Sequence, residues 1–157
     1  MNTILSEKDY QAFIVKQLVN NGYAHRVPKE ADGKVNYDRS RAMDPEMLFQ
    51  FLEATQPKKT AQLKSIFKEN YTETLLNYLN MEICKPSRSL IDVLKNGIEI
   101  ANIKLDLLYT MPATTFNTAL VKKAHENRFS VMEEVWASDT ERIDLAIFLN
   151  GPAIISS

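Results

Sequence analysis

The sharpest pattern of apolar and polar residues lies near the end of the chain. Across residues 142–149, Ile and Leu at the odd positions alternate with other side chains at the even positions. This two-residue period is typical of a β-strand, and it puts Asp144 on the same face as Ala146 and Phe148. Asn150-Gly151 follows, a pair that tolerates the positive φ of a tight hairpin turn. The pattern predicts a strand, a turn and the beginning of a returning strand.

Three- and four-residue spacing of apolar residues predicts helices earlier in the chain. The first helix should run from about residue 7 to residue 20, with Ser6 as its cap and Gly22 at its end. Asp44-Pro45 begins a helical block, since Asp caps helices and Pro fits the first helical position. Further helices are predicted over about 58–68, about 72–83, from Ser87 or Ser89 through Leu94, and over 116–125.

The inward faces of the helical block follow from the same spacing. The expected core positions are Met47, Leu48, Phe51, Leu52, Leu63, Ile66, Phe67, Leu75, Leu76, Leu79 and Ile83. Met81 and Cys84 are adaptable hydrophobes that we expect to fill gaps in this core. The lysines at positions 58, 59, 64 and 68 are typical of a solvated face, and a phosphate-contacting patch is the alternative interpretation.

The remaining segments complete an α+β fold. Residues 24–43 are rich in polar and turn-forming side chains, which predicts a loop. Alternation predicts strands at about 103–107 and about 129–136. The predicted architecture is an N-terminal helix, a helical insertion from about 44 to 96, and a mostly antiparallel sheet from about 98 onward.

Composition narrows the possible chemistry. The chain has 157 residues, enough for one domain, and its net charge of −1 provides no global basic field that would attract nucleic acid. One cysteine and two histidines argue against a disulfide framework and a structural zinc site. No Gly-x-x-x-x-Gly-Lys-Ser/Thr motif occurs, so this piece should not bind ATP through a P-loop. The absence of a signal sequence and of a membrane-spanning apolar run favours a cytoplasmic location.

Two carboxylates are open to both a structural and a functional interpretation. Asp is disfavoured in strands, so Asp144 needs a partner that holds its charge. Arg142, two residues away on the same face, would make it half of a structural ion pair, whereas a metal would make it a functional carboxylate. Glu7 falls in the first turn of the first helix, where the helix dipole alone favours a carboxylate. The residues by themselves leave these alternatives open.

Residues 143–152 resemble the nuclease motif of a known family. Asp144 stands between apolar residues, a further apolar run leads to Asn150-Gly151, and Pro152 follows before another short apolar run. This order is similar to that in the R (restriction) subunits of type I restriction enzymes, which belong to the PD-(D/E)xK nuclease superfamily. The chain departs from the usual family pattern in two places. Ile143 stands where Pro or a polar residue is usual, and no residue separates Gly from Pro.

Three earlier segments share the resemblance, namely Gly22-Tyr23 after the first helix, the step from Val93-Leu94 to Gly97, and the run from Asn127 to Val131. It implies a restriction-endonuclease-like core in which Asp144 and Glu7 are catalytic. Asp144 binds the metal, and Glu7 lies near the metal site. In the family a Glu-x-Lys stands on the returning strand, where Asp144 should pair with about position 157 or 158. The resemblance therefore predicts that residues 1–157 are the N-terminal part of one endonuclease domain, truncated inside the catalytic hairpin.

The implied function is Mg²⁺-dependent cleavage of double-stranded DNA by a type I site-specific deoxyribonuclease. The implied partners are the modification and specificity subunits of the restriction complex, and an ATP-driven motor is expected beyond residue 157. The fragment itself is expected to be inactive, and residues 24–43 are a candidate contact for DNA or another subunit. One alternative is a non-catalytic α+β module that binds DNA or protein, with Asp144 paired to Arg142. The other is a nuclease of the same superfamily outside the type I systems.

Overall fold

The computed structural model describes residues 7–26, 30–31, 34–35, 37–110, 116–136 and 140–156. The predicted helix cap Ser6 lies outside these ranges, and some side chains within them, including those of Glu7 and Asp144, are also outside the description. The helices are α1 (Glu7–Asn20), α2 (Pro45–Thr55), α3 (Pro57–Phe67), α4 (Tyr71–Ile83), α5 (Leu90–Asn96) and α6 (Thr118–His125), with a 3-10 turn (Lys68–Asn70) before α4. The strands are β1 (Ala24–Arg26), β2 (Glu30–Ala31), β3 (Lys34–Val35), β4 (Ile98–Ile100), β5 (Ile103–Leu105), β6 (Phe129–Trp136), β7 (Arg142–Leu149) and β8 (Ala153–Ser156). The contacts divide the chain into two units, residues 1–44 with 128–157 and residues 45–127.

Helix α1 has the bounds that the sequence predicted. Gly22 follows it with a φ of 93°, and its N–H donates to the carbonyl of Val19 at 3.0 Å. The N–H of Tyr23 donates to the carbonyl of Leu18 at 3.0 Å. These two bonds form a Schellman motif, which satisfies carbonyl groups that the end of a helix leaves without partners. Gly22 therefore ends α1 in the predicted way.

The first unit contains a four-stranded sheet with the order β1-β6-β7-β8. β1 runs parallel to β6, whereas β6 with β7 and β7 with β8 are antiparallel pairs. Val131 lies opposite Ile147, and Ile147 lies opposite Ile155, so β7 is paired on both sides. The α+β class and the mostly antiparallel sheet are confirmed. A separate pair, β2 with β3, is also antiparallel.

The prediction of a continuous loop over residues 24–43 was wrong at three short strands, β1, β2 and β3. β1 is three residues long, and the polar His25 and Arg26 within it give no apolar alternation. Its partner is β6, far along the chain, with Ala24 opposite Ser130. Pairing of this kind depends on the neighbouring strand more than on local preference, so the sequence pattern carried no sign of it.

The second unit combines α2 to α6 with a two-stranded sheet of β4 and β5. Among its most deeply buried apolar side chains are Leu48, Phe51, Leu52, Leu63, Leu75, Leu79, Val93, Leu94, Leu105 and Leu107. The Ser89 cap is confirmed, because Ser89 and Asp92 form a capping box at the start of α5. The predicted insertion over about 44–96 falls inside this unit, which continues to Asn127. The strand predicted at 103–107 is β5, and it belongs to this separate sheet.

Three of the predicted core positions in the second unit were wrong. Ile66 and Met81 are each 51% exposed, and Cys84 is also exposed. Thr60 takes an inward position on α3 instead, and Glu82 takes one on α4. Both polar side chains are hydrogen-bonded, Thr60 to a helix carbonyl and Glu82 to two basic residues. A polar side chain can be buried when it is hydrogen-bonded. In α3 and α4 such side chains therefore occupy inward positions while Ile66 and Met81 face solvent.

Candidate active site

The predicted tight turn between β7 and β8 is confirmed, and it is a two-residue hairpin turn. Asn150 has a φ of 53° and Gly151 a φ of 114°. The N–H of Leu149 donates to the carbonyl of Pro152 at 3.0 Å, which closes the turn. Two positive φ values in succession are the signature of a type I′ turn, whose twist matches that of the flanking strands.

Asn150 has a second role, which comes from its side chain. Its Oδ1 accepts a hydrogen bond from the backbone N–H of Arg128 at 2.7 Å, and its own N–H donates to the carbonyl of Arg128 at 2.9 Å. The residue is only 1% exposed. Since Phe129 lies opposite Leu149, these bonds continue the β6–β7 ladder by one step into the turn. The sequence predicted the backbone role of Asn150 but gave no sign of this contact.

The segment from Asp38 to Asp44 holds the turn from another direction. The N–H of Asp44 donates to the carbonyl of Gly151 at 2.8 Å, and the N–H of Ala153 donates to the carbonyl of Ala42 at 3.0 Å. The segment is itself closed by the N–H of Asp38, which donates to the carbonyl of Met43 at 2.7 Å. The hairpin turn is therefore bound both to the start of β6 and to this segment.

An ion pair connects that segment to β1. Arg26 donates from Nε to Oδ2 of Asp44 at 2.9 Å and from Nη2 to Oδ1 at 3.1 Å. The side chain of Asp44 is 0% exposed, and that of Arg26 is 20% exposed. Two parallel bonds from one guanidinium are the geometry in which a carboxylate can be held away from water. The helix cap predicted at Asp44 stays a prediction, and the contact of its carboxylate with this arginine was not predicted.

Apolar packing supports β7 on one face. Ala146 and Phe148 are buried in a cluster with Tyr37 and Met132. The rings of Tyr37 and Phe148 meet edge to face with centroids 5.8 Å apart. Burial raises the pKa of Tyr37, and the neighbouring Asp38 raises it further, so the phenol stays neutral at physiological pH. By strand alternation, Asp144 occupies the next position along β7 on the face of Ala146 and Phe148.

The backbone places the two predicted site residues in regular elements. Asp144 lies inside β7, and Glu7 is the first residue of α1. Their side chains lie outside the description, so the roles of both residues stay predictions. The alternative ion pair between Asp144 and Arg142, whose side chain is exposed, is equally untested. Among the side chains that the structure describes, no three acidic, histidine or cysteine groups converge as metal ligands.

Comparisons with known proteins place the whole chain in one family region. The family model described as type I restriction enzyme R protein N terminus matches residues 4–156, which include α1 and the complete turn. Neither the search of curated proteins nor the search of solved structures found a match. No described helix combines the length and the apolar character that a membrane span requires.

Proposed function

The chain belongs to the family of type I restriction enzyme R protein N termini, and we propose that it forms the N-terminal part of the nuclease domain of a DNA-cleaving R subunit. The proposed reaction is hydrolysis of phosphodiester bonds in double-stranded DNA, with Mg²⁺ as cofactor. The parent protein would translocate DNA with ATP through motor domains outside residues 1–157. It would act in the cytoplasm together with modification and specificity subunits.

The hairpin of β7 and β8 is the observation that carries this proposal. It lies within the matched region and has the predicted tight turn, which is two residues long. Ala146 lies opposite Ser156 in the ladder. The same register places Asp144 opposite a position two residues beyond Ser156. That position agrees with the place where the resemblance expects the Glu-x-Lys of the family.

In this proposal Asp144 supplies one carboxylate ligand of Mg²⁺, and Glu7 is a second acidic group near it. Mg²⁺ held by such carboxylates supplies a Lewis acid for phosphodiester hydrolysis. The described side chains do not fit a complete Mg²⁺ site by themselves, since no three of their acidic, histidine or cysteine groups converge. The remaining ligands would have to come from the returning strand, so no catalytic step is assigned to residues 1–157 alone.

The proposal divides the Mg²⁺ ligands between residues 1–157 and the rest of the returning strand. This division can be tested by comparing two proteins on the same substrate. We expect the parent R subunit, assembled with its partners and supplied with ATP and Mg²⁺, to cut plasmid DNA. We expect the purified chain of residues 1–157 to leave the plasmid intact under the same conditions, because one carboxylate cannot hold the ion as a complete ligand set does. Mg²⁺-dependent cutting by the purified chain would refute the division. A parent complex that binds the plasmid without cutting it would favour the non-catalytic module.

A further inference from the structure

A cavity in the second unit lies where α2 ends and α3 begins. Its volume is about 290 Å³, and it is lined in part by Lys58, Lys59, Asp106, Tyr109 and Lys123. Three of these side chains carry a positive charge and one carries a negative charge. A concave surface with such a balance attracts anions, because the charges around a cleft act together on what enters it.

The wall of the cavity is fixed by Gln56. This side chain is buried, and it exchanges two hydrogen bonds with the backbone of Asp106. The N–H of Asp106 donates to Oε1 at 2.8 Å, and Nε2 donates to the carbonyl of Asp106 at 2.9 Å. Nε2 also donates to the hydroxyl of Thr55 at 3.1 Å. All of these polar groups have partners, so the cavity has a preformed wall whose polar groups do not depend on a ligand.

The lysines, in contrast, have no acidic partner within the described part of the chain. Lys58 is exposed and Lys59 is half-buried at the start of α3, and neither forms an ion pair with a described residue. The Lys123 ammonium lies 5.4 Å from the centre of the Tyr109 ring, a cation–π distance. The carboxylate of Asp106 instead accepts a hydrogen bond from the Tyr109 hydroxyl at 3.2 Å. Burial raises the pKa of Tyr109 to about 12, so this hydroxyl stays protonated and adds no negative charge.

We propose that this cavity binds a phosphate group through Lys58, Lys59 and Lys123. Lysine ammonium groups bind phosphate as mobile point charges, and three of them outweigh the single carboxylate of Asp106. The volume lies at the small end of the range for ligand pockets, which suits one phosphate with part of the group that carries it. The phosphate can belong to a nucleic-acid backbone or to a free small molecule. The site shares no residue with the proposed nuclease site and does not depend on Asp144.

The test is an NMR titration of the 157-residue chain with sodium phosphate, with sodium chloride added to keep the ionic strength constant. We expect the amide signals of Lys58, Lys59 and Lys123 to shift in a saturable way. Lys123→Gln should weaken phosphate binding by about three- to tenfold, because one charge-assisted contact in a solvent-accessible site is lost. Lys122→Gln is the matched control, since it removes the same charge from the neighbouring position of α6 but does not line the cavity.

A second titration with a duplex oligonucleotide distinguishes the sources of the phosphate. Competition between the duplex and inorganic phosphate for the same amides assigns the cavity to a nucleic-acid backbone. In that case Lys123→Gln should also lower the number of counterions released on duplex binding, read from the salt dependence of the affinity, by about one. Saturable phosphate binding without such competition assigns the cavity to a free phosphate compound. The proposal is overturned if phosphate shifts none of these signals beyond the chloride control, or if Lys122→Gln weakens binding as much as Lys123→Gln.

Discussion

Replacing Asn150 tests whether the hairpin turn depends on a side chain as well as on backbone geometry. Asn150→Gly keeps a residue that adopts a φ of 53° without strain, but it removes the Oδ1 that accepts from the N–H of Arg128. A donor that loses its partner in a buried setting costs about 1–3 kcal/mol. The extra freedom of glycine in the unfolded chain adds about 0.5–1 kcal/mol. We therefore expect the free energy of unfolding to fall by about 1.5–4 kcal/mol in total.

Asn150→Ala shares the lost hydrogen bond with Asn150→Gly but replaces the cost of glycine's freedom with a cost of backbone strain. It removes the same oxygen, and alanine lacks the short polar side chain with which asparagine tolerates positive φ, so holding this conformation costs about 1–2 kcal/mol. Alanine keeps less freedom than glycine in the unfolded chain, so the two variants should be destabilised to a similar extent and for different reasons. Hydrogen exchange at the Arg128 amide tests the contribution that the two variants share, because both should expose this amide whatever their global stability.

The assay is urea unfolding followed by the fluorescence of Trp136, the only tryptophan, which lies in β6. For a chain of this size, each kcal/mol corresponds to a shift of about 2–4 °C in melting temperature, which provides an independent check. The predicted role of the Asn150 side chain would be refuted if Asn150→Gly lowered the free energy of unfolding by less than about 0.5 kcal/mol and left the Arg128 amide protected from exchange. The bond from Asn150 would then contribute nothing to the hairpin.

Two further predictions concern charged groups in the two units. Arg26→Met removes the guanidinium that pairs with the buried carboxylate of Asp44. Urea unfolding should therefore show that the free energy of unfolding falls by about 3–5 kcal/mol. A decrease of less than about 1 kcal/mol would contradict the importance of this pair. In the second unit, the hydrogen bond from Lys85 and the charges of Lys85 and Arg88 lower the pKa of Glu82 below its ordinary value of 4.5. A lowered pKa contributes stability that is present above the unfolded value and is lost as the pH falls through the folded value. The melting temperatures of the wild type and Glu82→Gln should therefore differ most near neutral pH and converge below pH 4.5, whereas a constant difference would contradict this origin.

The sequence predicted those parts of the fold that depend on neighbouring residues. The bounds of α1 follow from its apolar spacing and from Gly22, and the positive φ values of Asn150 and Gly151 follow from their residue types. β7 carries its own alternation, so its existence and its even-numbered face could be predicted without knowledge of its partners.

The parts that the sequence did not predict depend on distant partners. β1 is a strand because β6 lies beside it, and the pair of Arg26 with Asp44 joins residues that no motif connects. β4 escaped prediction for a different reason. Its hairpin turns at Ala101 and Asn102, both with positive φ, and alanine is an unusual residue in that conformation. Within the candidate site, the anchoring of the turn was missed because its contacts are made largely by the backbone, which any sequence could supply.

The most direct test of the proposed nuclease role is the plasmid-cutting activity of the parent complex with Asp144→Ala, measured beside its ATP hydrolysis and its melting temperature. Arg142→Ala, from the same strand face, is the matched control. The proposal predicts that Asp144→Ala abolishes cutting while ATP hydrolysis and melting stay close to wild type, because removing one carboxylate from a metal-binding cluster relieves repulsion between acids. The parent complex with Arg142→Ala should cut the plasmid as the wild type does. Retained cutting by Asp144→Ala, together with a loss of about 1–3 kcal/mol in stability, would show instead that Asp144 is the structural partner of Arg142.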